Sequence, residues 1–150
     1  HGGEVLRYMG DASLAIFPIS EAKEGALVGS AQAARACETA LAAALEAQRR
    51  LAELNTQRGA AGEPHLAFGI GLHIGDVLYG NIGTPERLEF SVIGAAANEA
   101  ARIEGMCKTL DASLVISESF ARFVPDRLVS LGRHALRGVG AEQELYTLRG

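Results

Sequence analysis

Between Leu66 and Ile74 the chain alternates with a strict period of two: Leu66, Phe68, Ile70, Leu72 and Ile74 on one side, Ala67, Gly69, Gly71 and His73 on the other. Successive side chains of a β-strand leave opposite faces, so this pattern specifies a strand with one face in a core. The second face is nearly bare. A strand stripped of side chains on one side admits close approach by a backbone, a ligand or a partner chain, which makes that face a candidate binding surface.

The segments around it fall into readable elements. Val5–Met9 and Ser13–Phe17 are β-prone runs joined by Gly10-Asp11-Ala12, a tight hairpin whose second strand ends at Pro18. From about Glu21 to Leu54 the composition turns to Ala, Glu, Gln and Arg, and apolar residues at 34, 37, 41, 45 and 51 keep helical spacing, which predicts the longest helix. Residues 55–64 (NTQRGAAGEP) are polar and Gly-containing and read as a loop. Asp76–Ile82 and Leu88–Ile93 flank residues 83–87 as a hairpin, and a helix follows over roughly 95–107. Leu114–Ile116 reads as a short buried strand, with Ser117 capping a brief helix that turns Phe120 and Phe123 inward. Arg127–Leu136 and Glu144–Leu148 form a last hairpin around Gly138-Val139-Gly140. This order predicts an α+β fold with a mainly antiparallel sheet and helices on one face. A doubly wound sheet is disfavoured, since no G-x-G-x-x-G turn or Walker P-loop is present.

A chain of 150 residues, 48% hydrophobic and 21% charged, fits one globular domain. Its net charge of −4 argues against a nucleic-acid duplex as partner, because phosphate backbones are met by basic faces. A small anion is compatible, needing only a few aimed cations and N–H groups. Cys37 and Cys107 lack C-x-x-C spacing and lie in Ala-rich helical contexts, so they read as two buried thiols in a reducing, cytoplasmic compartment. No apolar run reaches the roughly 18 residues that span a bilayer, and the start HGGEVLRYMG has no signal-peptide character. Lacking an initiator Met and entering a strand at once, the chain reads as a piece of a longer protein.

Chemistry concentrates in a few places. Asp11, at a hairpin tip beside Gly10, can ligate Mg²⁺ or Mn²⁺, or can serve only as a turn residue satisfying local N–H groups. Asn98 and Arg102 are four apart on the helix opened by Gly94, so an amide and a guanidinium project together, suited to a sugar oxygen and a phosphoryl group; the alternative is a solvated helix face beside Glu99 and Glu104. Ala95, Ala96, Ala97, Ala100 and Ala101 leave that helix low and approachable. Arg7 and Arg137 are long cations in strand-like contexts, where edge-strand charge is the alternative explanation. His73 reads as a packing or dimer-contact residue, because no carboxylate is placed by the sequence to orient it.

RYMGD (7–11) followed by SLAIF, then GIGLHIGDVLYGNIG (69–83), SVIGAAANEAARIE (91–104) and ALRGVG (135–140), in that order, resemble the catalytic domain of class III adenylate/guanylate cyclases over nearly the whole chain. The resemblance implies a ferredoxin-like domain working as a head-to-tail homodimer, with nucleotide at the interface and residues of both subunits in each site. By position, Asp11 looks like the second of two metal-binding aspartates, serving two Mg²⁺ or Mn²⁺ ions. Asn98 and Arg102 look like the ribose-orienting Asn and the transition-state Arg, and Arg137 aligns with the basic residue contacting the triphosphate. Arg7 occupies the purine-recognising position, Lys in adenylate cyclases and acidic in guanylate cyclases, which leans toward ATP. Ala95 stands where adenylate cyclases usually place an Asp or Thr that hydrogen-bonds the purine.

The family's first metal Asp belongs to an upstream F-x-D segment that this chain does not contain, so these 150 residues alone are expected to cyclise poorly. The implied activity is conversion of ATP to cyclic AMP and pyrophosphate in intracellular signalling. The alternatives are a guanylate cyclase using GTP, or a degenerate cyclase-homology domain that binds nucleotide or dimerises to regulate attached modules.

Overall fold

The computed structural model describes residues 1–19, 30–85 and 87–149. A four-stranded sheet organises the chain, in the order β3 (Ile70–Leu72), β6 (Leu114–Ser117), β8 (Gln143–Leu148), β7 (Leu128–His134). β3 and β6 run parallel, and the other two pairs are antiparallel. Two hairpins form separate two-stranded sheets, β1 (Glu4–Met9) with β2 (Ala12–Ile16) and β4 (Leu78–Thr84) with β5 (Arg87–Ile93). The helices are α1 (Ser30–Ala60), α2 (Ala95–Thr109) and the single-turn α3 (Glu118–Ala121). The α+β class with a mainly antiparallel sheet is therefore borne out.

The helices do not share one face of the sheet. Leu114 and Ile116 of β6 join Cys37, Ala40, Leu41 and Ala44 of α1, with Phe120, Val124 and Leu128, in one buried cluster. Val115 of β6 and Leu145 of β8 point the other way, into a cluster with Ile103 and Cys107 of α2 and with Leu136. Alternation along a strand thus feeds two cores, and the sheet lies between α1 and α2. Ile103, with no exposed surface, contributes about 1.5–3 kcal/mol by burial alone.

The bare face of β3 is where α2 sits. A Cβ on Gly71 would come within 2.5 Å of the Glu104 N and 2.7 Å of the Ala100 O, and one on Gly69 within 2.7 Å of the Cys107 Cβ. The glycines are occupied by helix backbone, so the face read as a binding candidate is an internal contact. The strand is also shorter than the alternation predicts: β3 holds three residues, and Leu66 and Phe68 stay 47% and 44% exposed.

Two boundaries move for local reasons. Of the helical segment predicted from about residue 21, residues 21–29 lie outside the described residues; from Ser30 it is helical, and it runs on through 55–60, read above as loop. Gly62, at φ +72, is the actual stop: its N–H donates to the Gly59 O (3.1 Å) and that of Glu63 to the Arg58 O (2.8 Å), the paired bonds of a Schellman cap. Asn55 then holds the returning chain, its side chain bonding both the N–H and the C=O of Leu66 at 2.8 Å. The β4–β5 hairpin closes more tightly than predicted, although Glu86 in its turn is outside the described residues.

Ser117 caps α3 by accepting from the Phe120 N–H at 3.2 Å, as the sequence predicts. Both cysteines are free and buried; burial first, and then the Glu38 carboxylate, push the Cys37 thiol up to about 12, and burial likewise raises Cys107. Among the described residues no helix is long and apolar enough to cross a membrane.

Candidate functional site

α2 leaves β5 abruptly. Gly94 precedes it with φ +154, and a Cβ there would meet the Asp76 O at 2.9 Å, so glycine is what allows strand to become helix this close to the approach to β4. Ala95, the first residue of the helix, is exposed, as is Asn98 one turn on. Arg102, a further turn along the same side, is half-buried.

The segment against Arg102 is the turn Leu136–Val139. Its ends are joined by a Val139 N–H to Leu136 O bond of 2.9 Å, and Gly138 has φ +74, the left-handed third position that a type II turn reserves for glycine. Leu136, only 3% exposed, anchors the turn in the cluster that contains Ile103 of α2. The Arg102 guanidinium consequently lies on bare Gly138 backbone: a Cβ at 138 would stand 2.6 Å from Nη1. Arg137, exposed, is the residue before it. The fold thus sets Arg102, midway along α2, against the Arg137–Gly138 turn, with Asn98 one turn before it on the same side of the helix.

Arg102 Nη1 is buried and has no hydrogen-bond partner among the described residues. A buried donor left unpaired costs about 1–3 kcal/mol, more when charged. A partly desolvated guanidinium gains more from an anion than a fully solvated one, since part of its desolvation has been met by folding.

Arg7 and Asp11 stand elsewhere, on the β1–β2 sheet, and both are exposed. Register in that hairpin slips between Val5, opposite Ala15, and Arg7, opposite Leu14, so Leu6 is a bulge residue. Bulges bend a strand and re-aim the side chains beyond them, and Arg7 is the first of these. Asp11 occupies the tip beside Gly10, whose φ is +64. Among the described residues no group of three or more His, Cys, Asp or Glu is placed to hold a metal ion. Asp11 is thus one hard oxygen donor, suited to Mg²⁺ or Mn²⁺ only as part of a larger set.

A polar network missed by the sequence reading lies behind Arg102. His73 does have a carboxylate: Glu99 of α2, with Oε2 3.4 Å from His73 Nε2. His73 Nδ1 is 3.0 Å from Ser117 Oγ and 3.3 Å from Ser119 Oγ. On its other oxygen Glu99 accepts a 2.6 Å bond from Gln143 Nε2. Burial holds the His73 pKa below the ordinary histidine value against the opposing pull of Glu99. The neutral ring can then accept a seryl hydroxyl at Nδ1, with the Glu99 carboxylate close to its other nitrogen. Ser117, His73 and Glu99 superficially form a nucleophile, base and orienter. Ser117 has no exposed surface and caps α3, however, so no substrate can reach it and it is no nucleophile.

No protein-family model matches this chain. It is 34% identical over 125 residues to an adenylate cyclase of Anabaena cylindrica, covering 81% of this chain and 22% of that protein. The solved structure of the guanylyl cyclase Cya2 aligns with 99% of this chain and 71% of that one at a TM-score of 0.73 and 28% identity. The adenylyl cyclase CyaB from P. aeruginosa aligns equally well, TM-score 0.73 over 99% and 72% of the two chains, at 21% identity. The chain spans about a fifth of the length of the curated relatives it matches.

Proposed function

This chain belongs to the class III adenylate/guanylate cyclase family, and from that premise we propose that it forms part of the catalytic domain of a nucleotidyl cyclase converting ATP to cyclic AMP and pyrophosphate. The observation that carries the reading is the buried, unpartnered Arg102 Nη1 resting on the Arg137–Gly138 turn, one helical turn from Asn98. An amide and a guanidinium on one side of a helix, beside a turn that carries a second cation, match the demands of a ribose next to a polyphosphate.

In the reaction the ribose 3′-oxygen attacks the α-phosphorus, the new P–O bond closes the ring, and the bond to pyrophosphate breaks, with the 3′-hydroxyl proton released. The Asn98 amide holds the ribose so that its 3′-oxygen faces the phosphorus. Arg102 donates to the phosphoryl oxygens on which negative charge accumulates. Arg137 holds the triphosphate tail. Asp11 from a second copy of the chain, with an upstream carboxylate and the phosphates, would hold two Mg²⁺ or Mn²⁺ ions, which supply a lowered hydroxyl pKa and charge neutralisation when bound.

Arg7, beyond its bulge, is the base-reading cation, and at Ala95 the purine meets a methyl that cannot hydrogen-bond. Discrimination between ATP and GTP is then carried mainly by Arg7 and weakened at Ala95. Loss of one base-edge bond that water can replace costs about 0.5–1.5 kcal/mol. The reading is tested by assaying pyrophosphate release from ATP and GTP by the full-length protein with Mn²⁺, beside Asp11→Ala. Product dependent on Asp11, with ATP preferred by a modest factor, is expected. No Asp11-dependent product from either nucleotide overturns the enzyme.

A further inference from the structure

Glu99 is three residues before Arg102, the separation at which a helical carboxylate and guanidinium ordinarily pair. Here they do not: Nη1 of Arg102 is unpartnered, while Glu99 is turned to other groups, its Oε1 accepting from Gln143 at 2.6 Å and its Oε2 lying 3.4 Å from His73 Nε2. His73 is in turn fixed from behind by Ser117 at 3.0 Å, and its side chain is 8% exposed. Gln143 opens β8, immediately after the segment that carries Arg137 and Gly138, so the bond to Glu99 also ties that segment's exit to α2.

We propose that Gln143, with His73 behind it, is a positioning residue that holds the Glu99 carboxylate off Arg102 and so keeps the guanidinium free for a polyphosphate. A freed Glu99 would swing to the nearest cation on its own helix and neutralise it, and an incoming phosphate would then have to displace an internal carboxylate. The inference rests on the assignment of Arg102 to the phosphates made above. It goes further in naming the groups that stop the helix from quenching its own catalytic cation.

The test is the affinity for inorganic tripolyphosphate, measured calorimetrically on the full-length protein, with turnover followed on the same samples. Gln143→Ala is expected to weaken binding about fivefold, the effect of one partly exposed ion pair of roughly 1 kcal/mol. Adding Glu99→Gln to that variant should restore affinity to within about twofold of the unaltered protein, because the competing charge is gone. A purely structural role for the network predicts the reverse, the second substitution deepening the first. If alanine at 143 unfolds the chain, Gln143→Met, of similar volume but without the amide, takes its place. Failure of tripolyphosphate to bind the unaltered protein, unchanged affinity on loss of the amide, or no recovery on adding Glu99→Gln overturns the proposal. An inactive protein whose tripolyphosphate affinity follows the expected pattern refutes cyclisation while supporting the guard on Arg102.

Discussion

The two regions that carry the candidate site are held in opposite ways. α2 lies with its backbone on Gly71 of β3, drives Ile103 and Cys107 into a core and has Glu99 bonded to Gln143 of β8 and close to His73, just past β3. The β1–β2 hairpin shows most of its surface, with Tyr8 79% and Val5 54% exposed and Asp11 at an open tip. Groups that must stabilise developing charge work best when fixed before substrate arrives. Among the described residues the hairpin has little to lie on, which leaves its surface open to a second subunit. The difference therefore matches a site divided between two copies of the chain, with the orienting half preformed.

The sharpest way to break that comparison is to remove the key side chain from each region. Arg102→Met should lower turnover by about 10²- to 10³-fold, the cost of losing one aimed donor, yet leave the melting temperature unchanged or raised, since a buried unpaired charge has been replaced by an apolar chain. Asp11→Ala should also abolish metal-dependent turnover, but with the melting temperature within about 1 °C, because an exposed tip contributes little to folding. A large loss of stability in either variant would mean that its residue is structural.

Glycines sharpen the contrast next. Gly71→Ala forces a Cβ against helix backbone at 2.5 Å and should cost about 1–3 kcal/mol in chemical denaturation. Gly10→Ala, at φ +64 with nothing within 4 Å, should cost only the left-handed strain, about 1 kcal/mol. Equal effects would contradict a tightly seated α2.

The smallest effect is in pH. Burial depresses the folded His73 pKa below its unfolded value, so below about pH 6.5 the unfolded chain binds a proton that the folded chain refuses. Stability should therefore fall as pH drops from 7 through the ordinary histidine range, and stop falling once the folded ring itself protonates. His73→Gln should flatten that slope in a melting series between pH 7 and 5.5. An unchanged slope would place the titration elsewhere.

Much of this was legible in the chain. The hairpin at Asp11, the paired Asn98 and Arg102, the Ser117 cap and the free buried thiols follow from local pattern. The glycine stripe in 69–75 correctly announced close approach, but period alone cannot say what approaches, and the visitor is α2. The end of α1 was misplaced because Asn55, Thr56 and Gln57 are tolerated inside a long helix, and only Gly62 adopts the left-handed stop. The His73, Glu99, Ser117 and Gln143 network had no local signal at all, since its members lie up to 70 residues apart and meet only through sheet order.

The direct test of a divided site is complementation. Asp11→Ala and Arg102→Ala full-length proteins, each inactive alone, are mixed, re-equilibrated and assayed for cyclic nucleotide. Random pairing puts half the molecules in mixed dimers with one intact site of two, so about a quarter of normal turnover should return. No recovery, with both variants folded and exchanging subunits, would contradict the account.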